Sequence, residues 1–246
     1  MKKAIITFLV LLFAGCAVRI DTTDLYRKLV LYSVLNSKSA YHVIILDSLY
    51  SLDSPIVIDS CGIRDAEVIV TDNEGNIFPF DSLDSHGHYV NKIPFYPVPG
   101  REYSLNLKYK DFYEINVMTT CPQGVVFNKQ EYHIDSIYAD TIYWNYTDSC
   151  LYDVITWDSL YGYTDFYEYS YDTIFTPENL IDYYLGGGDT SSLTIKFYVY
   201  KYDKNFSEWY MERYYNNEFN PIENQKTYIG YFSSCTVDSV DVIIER

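Results

Sequence analysis

Apolar and polar residues alternate with a period of two along much of this chain, which is the pattern of β-strands that bury one face. In REYSLNLKYK, the alternate positions from Tyr103 to Tyr109 are all leucine or tyrosine, and polar residues separate them. After a turn at Lys110 and Asp111 the alternation resumes and continues to Val117. We therefore predict a β-hairpin in this region.

Three segments upstream of this hairpin also predict strands. They are KLVLYSVL, AYHVIIL and AEVIVTDNEGNIFPF. The last reads as strand, turn and strand, with Gly75 supplying the positive φ angle that such a turn needs. Pro122 and Gly124 punctuate the end of the region. We predict that residues 27–124 form an immunoglobulin-like or transthyretin-like β-sandwich.

Residues 125–246 predict a second, fibronectin-like β domain. Its strand candidates are DTIYWNY, LYDVITW, SLTIKFYVYKY, TYIGYF and TVDSVDVII. The first two are separated by 147–150, a loop short enough for a hairpin. One short helix is predicted near 207–216, with Ser207 as its N-cap. The acidic, tyrosine-rich segment 158–180 is interpreted as an insertion. The fold class is therefore all-β, with two consecutive sandwiches.

The N-terminus has the pattern of an export signal. Lys2 and Lys3 precede an apolar run of eleven residues from Ala4 to Ala14, broken only by Thr7, which is too short to span a bilayer comfortably. The following residues, FAGC, resemble the lipobox of bacterial lipoproteins, although leucine is usual where Phe13 stands. The alternative is an ordinary signal peptide with an incidental cysteine.

The lipobox resemblance implies cleavage before Cys16 and lipidation of that cysteine. Residues 1–15 are then the lipoprotein signal peptide, and 16–26 form a lipidated tether to the bacterial outer membrane. Each buried methylene of an acyl chain contributes about 0.8 kcal/mol, so several chains on one residue hold a protein firmly at a membrane. No later apolar run reaches the length of a transmembrane helix.

Charge excludes one class of partner. The chain has 34 acidic and 18 basic residues, a formal net charge of −16. Removing residues 1–15 takes away two lysines and no acids, leaving 16 basic residues. Nucleic-acid binding depends on contacts from basic residues to phosphates, so this composition argues against it.

Four cysteines remain after Cys16, and an even number in an exported chain suggests disulfides. Sequence alone allows three pairings. We favour Cys61 with Cys121 and Cys150 with Cys235, because each pair then lies within one predicted domain. Free, buried thiols are the alternative.

The order of these motifs resembles a family of uncharacterised lipoproteins of Bacteroidetes-type bacteria, often encoded beside TonB-dependent outer-membrane receptors. The motifs are the lipobox, KLVLYSVL, IRDAEVIVTDNEGN, HGHYV, PGREYSLNLKY, TTCP, NPI and a glycine-containing last hairpin, IGYFSSCTVDSV. The resemblance covers nearly the whole mature chain, apart from the segment 158–180. It implies an outer-membrane location and a two-domain architecture, and it implies no reaction or catalytic residues.

The sequence signals for a catalytic or metal site are weak. His86 and His88 could chelate a transition metal from one strand face, but Gly87 and the preceding DSLDS favour a mobile surface turn. DNEGN begins like a calcium loop, yet Leu83 stands where an EF-hand needs glutamate. No Gly-x-Ser-x-Gly elbow exists for a hydrolase. We predict no catalytic residue, no metal and no cofactor.

The aromatic residues are the most suggestive feature. Five tyrosines of YGYTDFYEYSY occupy odd positions, so in a regular strand they share one face. They are Tyr161, Tyr163, Tyr167, Tyr169 and Tyr171. Tyrosine suits partner contacts because it combines a flat apolar ring with a hydroxyl. The alternative is an ordinary strand whose rings fill the protein interior.

The leading interpretation is a non-catalytic cell-envelope lipoprotein that assists an outer-membrane transport system or binds a ligand or partner, such as a TonB-dependent receptor. A structural or adhesive surface module is second, and a hydrolase is third.

The lipid anchor gives the first prediction. Metabolic labelling with a clickable fatty acid should label the wild-type protein, and Cys16→Ser should abolish the label and release the protein from membranes. An unlabelled wild-type protein would contradict lipidation.

Overall fold

The computed structural model describes residues 29–48, 62–110, 113–135, 140–147, 149–158, 162–175, 192–214 and 228–245. Within them, fifteen strands and a single helix confirm the all-β class. The predicted signal peptide, tether and Cys16 lie outside the described residues. The described helix is not long and apolar enough to cross a lipid bilayer.

Nine strands form the largest sheet, in the order β12-β11-β14-β15-β1-β2-β6-β5, and β9 also pairs with β15. They are β1 (Leu29–Asn36), β2 (Val43–Ser48), β5 (Ser82–Leu83), β6 (Tyr89–Val90), β9 (Glu131–Ile134), β11 (Tyr152–Asp158), β12 (Gly162–Ser170), β14 (Ser192–Tyr202) and β15 (Tyr228–Glu245).

A four-stranded sheet has the order β4-β3-β7-β8, built from β3 (Glu67–Asp72), β4 (Ile77–Pro79), β7 (Glu102–Tyr109) and β8 (Tyr113–Thr120). The predicted hairpin is the β7-β8 pair, whose register runs from Glu102 opposite Thr120 to Tyr109 opposite Tyr113. Gly75 has a φ of 86°, as the turn between β3 and β4 requires.

A small sheet pairs β10 (Ile142–Tyr143) with β13 (Ile174–Phe175). The predicted hairpin between DTIYWNY and LYDVITW is therefore wrong, because β11 pairs with β12 and β14 instead. The segment 158–180 contributes β12 and β13 to two different sheets, so its described part is integrated into the fold. Local alternation gave the strands correctly, but pairing depends on residues far away in sequence.

β15 is the strand around which the large sheet is built. It runs for 18 residues as one strand, where the sequence predicted two strands and a final hairpin. Its first half pairs in parallel with β1, from Leu29 opposite Tyr228 to Asn36 opposite Cys235. Its second half pairs antiparallel with β14 and in parallel with β9. The central Ser233 and Ser234 are buried, although such polar residues in sequence suggest a strand end.

Alternation along β15 assigns its residues to three hydrophobic clusters. Tyr228 and Phe232 belong to the first core, which fills the space between the four-stranded sheet and β1, β2 and β15. Val240 and Val242 belong to the second core, which the β10-β13 sheet covers. Residues of the opposite parity, such as Cys235, belong to an outer cluster on the other face of the sheet.

β15 connects the two predicted β domains. The first core contains Tyr228 and Phe232, which lie in the predicted second domain. β1, from the predicted first domain, forms eight paired positions with β15. Both cores are present, and one continuous sheet connects them.

The helix, α1 (Lys204–Tyr214), covers the outer cluster with Phe206, Trp209 and Tyr210. Its N-cap is Asp203, whose Oδ1 accepts a hydrogen bond from the Phe206 amide at 3.2 Å. The prediction of Ser207 as N-cap was wrong. Ser207 lies in the first turn, where its hydroxyl donates to the Asp203 carbonyl at 2.7 Å.

Asp203 also joins three elements through buried hydrogen bonds. Its carboxylate accepts from the hydroxyls of Thr119 on β8 and Ser233 on β15. Its amide donates to the Ser234 carbonyl at 3.0 Å. Next to it, the Asn205 side chain donates to the carbonyls of Met118 and Phe232 at 2.7 and 3.0 Å. The start of α1 therefore covers polar backbone groups of both β8 and β15.

We expect Gly230→Ala to destabilise the protein by about 3 kcal/mol or more, because two penalties combine. Gly230 has a φ of 119°, and an added Cβ would lie 1.9 Å from the Leu31 carbonyl oxygen on β1. Gly75→Ala is the matched control, since Gly75 also has positive φ but nothing lies within 4 Å of its Cβ position. It should cost only about 1–2 kcal/mol. Equal urea midpoints for the two variants would contradict the close approach of β1 and β15.

The pH dependence of stability tests Asp203. Burial raises the pKa of its carboxyl from 3.8 to about 6, against the lowering effect of the hydrogen bonds from Ser233 and Thr119. Between these two pKa values, the folded protein holds a proton on Asp203 that the unfolded chain has released. The contribution of Asp203 to the free energy of unfolding is therefore complete below about pH 4. It should be lost as pH rises through 6, on the order of 3 kcal/mol.

Asp203→Asn is the matched variant for that pH effect, because an amide can still cap the helix but does not titrate. Urea unfolding between pH 4 and pH 8 should show a smaller loss of stability with rising pH in Asp203→Asn than in the wild type. Parallel curves for the two proteins would refute the raised pKa.

Candidate partner-binding surface

β12 is an edge strand of the nine-stranded sheet. Within the described residues it pairs only with β11, so its other side presents unpaired backbone groups. Two register shifts interrupt this pairing, one between Tyr152 and Val154 and the other between Val154 and Ile155. Such irregularities bend an edge strand and make uncontrolled pairing with other chains less favourable.

The register shifts bear on the prediction that five tyrosines share one face. Tyr163 lies opposite Trp157, whereas Tyr167 lies opposite Val154, a residue three positions away on β11. The regular two-residue repeat that the prediction assumes therefore does not continue along the β12-β11 pairing. The faces that the Tyr161, Tyr167 and Tyr169 rings occupy lie outside the described residues.

Tyr163, Trp157 and Tyr198 form an aromatic group that we call the Tyr163 patch. Tyr163 is 70% exposed and Trp157 is 38% exposed, and both lie on the face of the sheet opposite the second core. The ring of Tyr163 lies 6.3 Å from that of Tyr198, centroid to centroid. Tyr198 itself packs against the outer cluster, so the patch continues the aromatic surface around α1.

An ion pair borders the patch. Lys196 lies opposite Trp157 in the β11-β14 register, and its Nζ lies 2.5 Å from Asp241 Oδ1 on β15. Because both side chains of this pair are more than one-third exposed, it adds little to stability. The pair places one positive and one negative side chain beside the aromatic rings, as in the polar rim of a binding surface.

The other predicted tyrosines are distributed differently. Tyr171 follows β12 and is 39% exposed. Tyr167 and Tyr169 lie within β12, but their side chains are outside the description, as is the whole of Tyr161. The described structure therefore supports an exposed aromatic surface at Tyr163 and Tyr171 without joining all five rings in one array.

The predicted bridge between Cys61 and Cys121 lies partly outside the described residues, because Cys61 is not described. Cys121, Cys150 and Cys235 are buried, and none of these three is bonded in a disulfide. Cys150 belongs to the second core and Cys235 to the outer cluster, on opposite faces of the sheet, so the predicted bridge between them is absent. Burial raises the pKa of Cys121 to about 12 and raises that of Cys235 further, which keeps both thiols protonated and unreactive.

Lys201 is a buried lysine, a residue type that can act as a nucleophile, and no sequence motif singled it out. Burial lowers its pKa, which is how proteins activate lysine for covalent chemistry. The residue is fully buried, however, and its Nζ donates to the Thr147 hydroxyl at 2.6 Å. An enclosed amine of this kind is not accessible to a substrate.

A second exposed apolar pair also escaped the sequence analysis. Tyr143 on β10 and Ile174 on β13 lie directly opposite each other, and both are more than 40% exposed. The signal was the alternation in DTIYWNY, where Tyr143 has the opposite parity to the buried Ile142 and Trp144. Its pairing with Ile174 could not be inferred from this local pattern.

Two of the four histidines, His42 and His133, contact polar groups of the fold. His42 is buried, with its Nε2 3.2 Å from the Phe95 carbonyl, and burial lowers its pKa. His133 lies on β9, and its Nε2 is 3.1 Å from Glu131 Oε1. His86 and His88 lie in the turn between β5 and β6, with their rings 5.7 Å apart.

Comparison with known proteins adds little to this geometry. No protein-family model and no curated protein matches the chain. Among solved structures, a segment of two fibronectin type III domains from chicken tenascin is similar at 10% identity, over 88% of this chain and 97% of that one, with a TM-score of 0.23. Such a loose superposition carries no argument about architecture or function, so the β-sandwich fold rests on the strand pairings and cores described above.

Proposed function

We propose that this protein is a non-catalytic lipoprotein of the bacterial outer membrane that binds a protein partner through the Tyr163 patch. One observation carries the binding role: an edge strand presents a tyrosine that is 70% exposed, paired with an exposed tryptophan. Tyrosine and tryptophan are the residues that most often dominate the energy of protein interfaces.

The shape of the patch favours a protein over a small molecule. Its residues lie on three adjacent strands, β12, β11 and β14, and so form part of an open sheet face. Small molecules bind in concave pockets that enclose most of their surface. A protein partner can cover an exposed aromatic face and can also pair with β12 through backbone hydrogen bonds, on the side where the described residues supply no neighbouring strand.

The partner we propose is another protein of the outer membrane, a TonB-dependent receptor of an uptake system. A lipidated Cys16 restricts the protein to the membrane surface, so both partners would diffuse in two dimensions and meet at a high effective concentration. The acidic composition, with 34 acidic and 18 basic residues, favours a partner whose contact surface is basic.

Site-specific photo-crosslinking tests this proposal in intact cells. A photoreactive phenylalanine at position 163 should crosslink to a TonB-dependent receptor, identified by mass spectrometry. The matched control is the same probe at Tyr96, which is 61% exposed on the first sandwich and far from β12 in sequence. It should give no crosslink to that receptor.

Tyr163→Ser should abolish co-purification of the receptor while changing the free energy of unfolding by no more than about 0.5 kcal/mol, since the ring is mostly exposed. Unchanged co-purification would refute the Tyr163 patch as the binding surface. Crosslinks to many unrelated surface molecules would favour the adhesive module, and turnover of an ester or glycoside by the purified protein would favour the hydrolase.

A further inference from the structure

The turn from Asp84 to His88 connects β5 and β6 and is firmly attached to the first sandwich. Its backbone closes through hydrogen bonds from the Asp84 amide to the His88 carbonyl at 2.9 Å and from the Gly87 amide to the Asp84 carbonyl at 3.1 Å. Tyr89, the next residue, is buried in the first core and accepts a hydrogen bond from the Ala66 amide through its hydroxyl. The segment is therefore an anchored turn, in contrast to the mobile turn that its composition predicted.

Within this turn, the Asp84 carboxylate is oriented by the backbone. Its Oδ1 accepts hydrogen bonds from the His86 and His88 amides at 2.8 and 2.9 Å. These bonds direct Oδ2 toward the two imidazoles, 3.1 Å from His88 Nδ1 and 4.0 Å from His86 Nδ1.

Two nitrogen donors and one oxygen donor thus converge on one point. The ligand atoms of Asp84, His86 and His88 all lie within 4.8 Å of one another. Zinc bonds of about 2.0–2.2 Å to nitrogen and oxygen place tetrahedral ligand atoms roughly 3.3–3.5 Å apart. The Asp84–His88 separation already has nearly this value. The distance of 4.0 Å between His86 Nδ1 and Asp84 Oδ2 must shorten by about half an ångström, and the exposed His86 ring, 77% accessible, has room to move.

We infer that Asp84, His86 and His88 form a surface zinc site, with water or a partner's side chain completing the coordination. Imidazole and carboxylate are ordinary zinc ligands, and sites with three protein ligands keep one position open. The backbone hydrogen bonds to Asp84 supply the outer-shell orientation that metal-ligating carboxylates generally receive. The sequence shows the two histidines and, in DSLDS, Asp84 just before them, but the prediction of no metal did not foresee that the three ligand atoms converge.

Two neighbouring groups limit the affinity of this site. The Arg64 guanidinium lies against Gly87, since a Cβ there would lie 2.7 Å from Arg64 Nε. Its positive charge opposes a bound cation. The Ser85 hydroxyl lies 3.4 Å from His86 Nδ1 and must yield that nitrogen to the metal. Zinc binding is therefore expected to be moderate and reversible, removable by EDTA.

Titration of the tag-free, full mature protein in detergent with ZnCl₂ tests the site. Calorimetry should show one ion per chain, and His86→Ala and His88→Ala should each weaken binding at least about tenfold. Asp84→Asn should weaken zinc binding similarly, although asparagine keeps an oxygen that can accept the hydrogen bonds from the His86 and His88 amides. With Co²⁺ in place of Zn²⁺, visible absorption bands should appear in the wild type and disappear in these three variants.

His133→Ala is the matched control. His133 also lies 3.1 Å from a carboxylate, but among the described residues it belongs to no group of three possible metal ligands. It should bind zinc within about twofold of the wild type. Three outcomes would overturn the proposal: no binding by the wild type, equal binding by the three turn variants, or an equal loss of binding in His133→Ala. None of these results depends on the Tyr163 patch, so the two proposals fail separately.

Discussion

The pairing of β15 with β1 on one side and β14 on the other is the interaction on which the rest of the structure depends. It joins residues near the two ends of the described chain, Leu29 and Tyr228, and places both cores on one face of a continuous sheet. Gly230 permits it, because any side chain there would collide with the β1 backbone. Closing a contact of this sequence separation has a large entropic penalty, and the burial of two cores and the outer cluster offsets it.

That arrangement also decides which side chains remain available for function. In the described residues, three cysteines and Lys201 lie in the interior, and burial keeps the thiols of Cys121 and Cys235 protonated. The side chains exposed at the surface include aromatic rings and imidazoles, among them Tyr163, Trp157 and His86. Aromatic rings suit recognition of a partner, and imidazoles suit coordination of an ion.

Both candidate surfaces lie beside irregular backbone within the β-framework. Tyr163 and Trp157 lie opposite each other at the edge of the sheet, in the regular part of the β12-β11 pairing next to its register shifts. The turn between β5 and β6 uses Gly87, at a φ of 85°, to turn the chain so that Asp84 faces both histidines. A regular strand would have separated the three side chains of this turn, and irregular backbone is common where β-proteins carry function.

The sequence by itself determined the strands and their buried faces, since alternation reports directly which side of a strand avoids water. The β7-β8 hairpin, the Gly75 turn and the buried face of β14 followed from it. Local pattern did not determine pairing partners: β10 joins β13, β15 is one strand, and Asp203 caps α1 in place of Ser207. The same applies to the sites, where the histidines, Asp84 and the tyrosines were visible in the sequence, but the convergence of the three ligand atoms and the position of Trp157 beside Tyr163 were not. Only the tertiary structure decided these, because they depend on contacts between distant residues, whose free energy no short window of sequence contains.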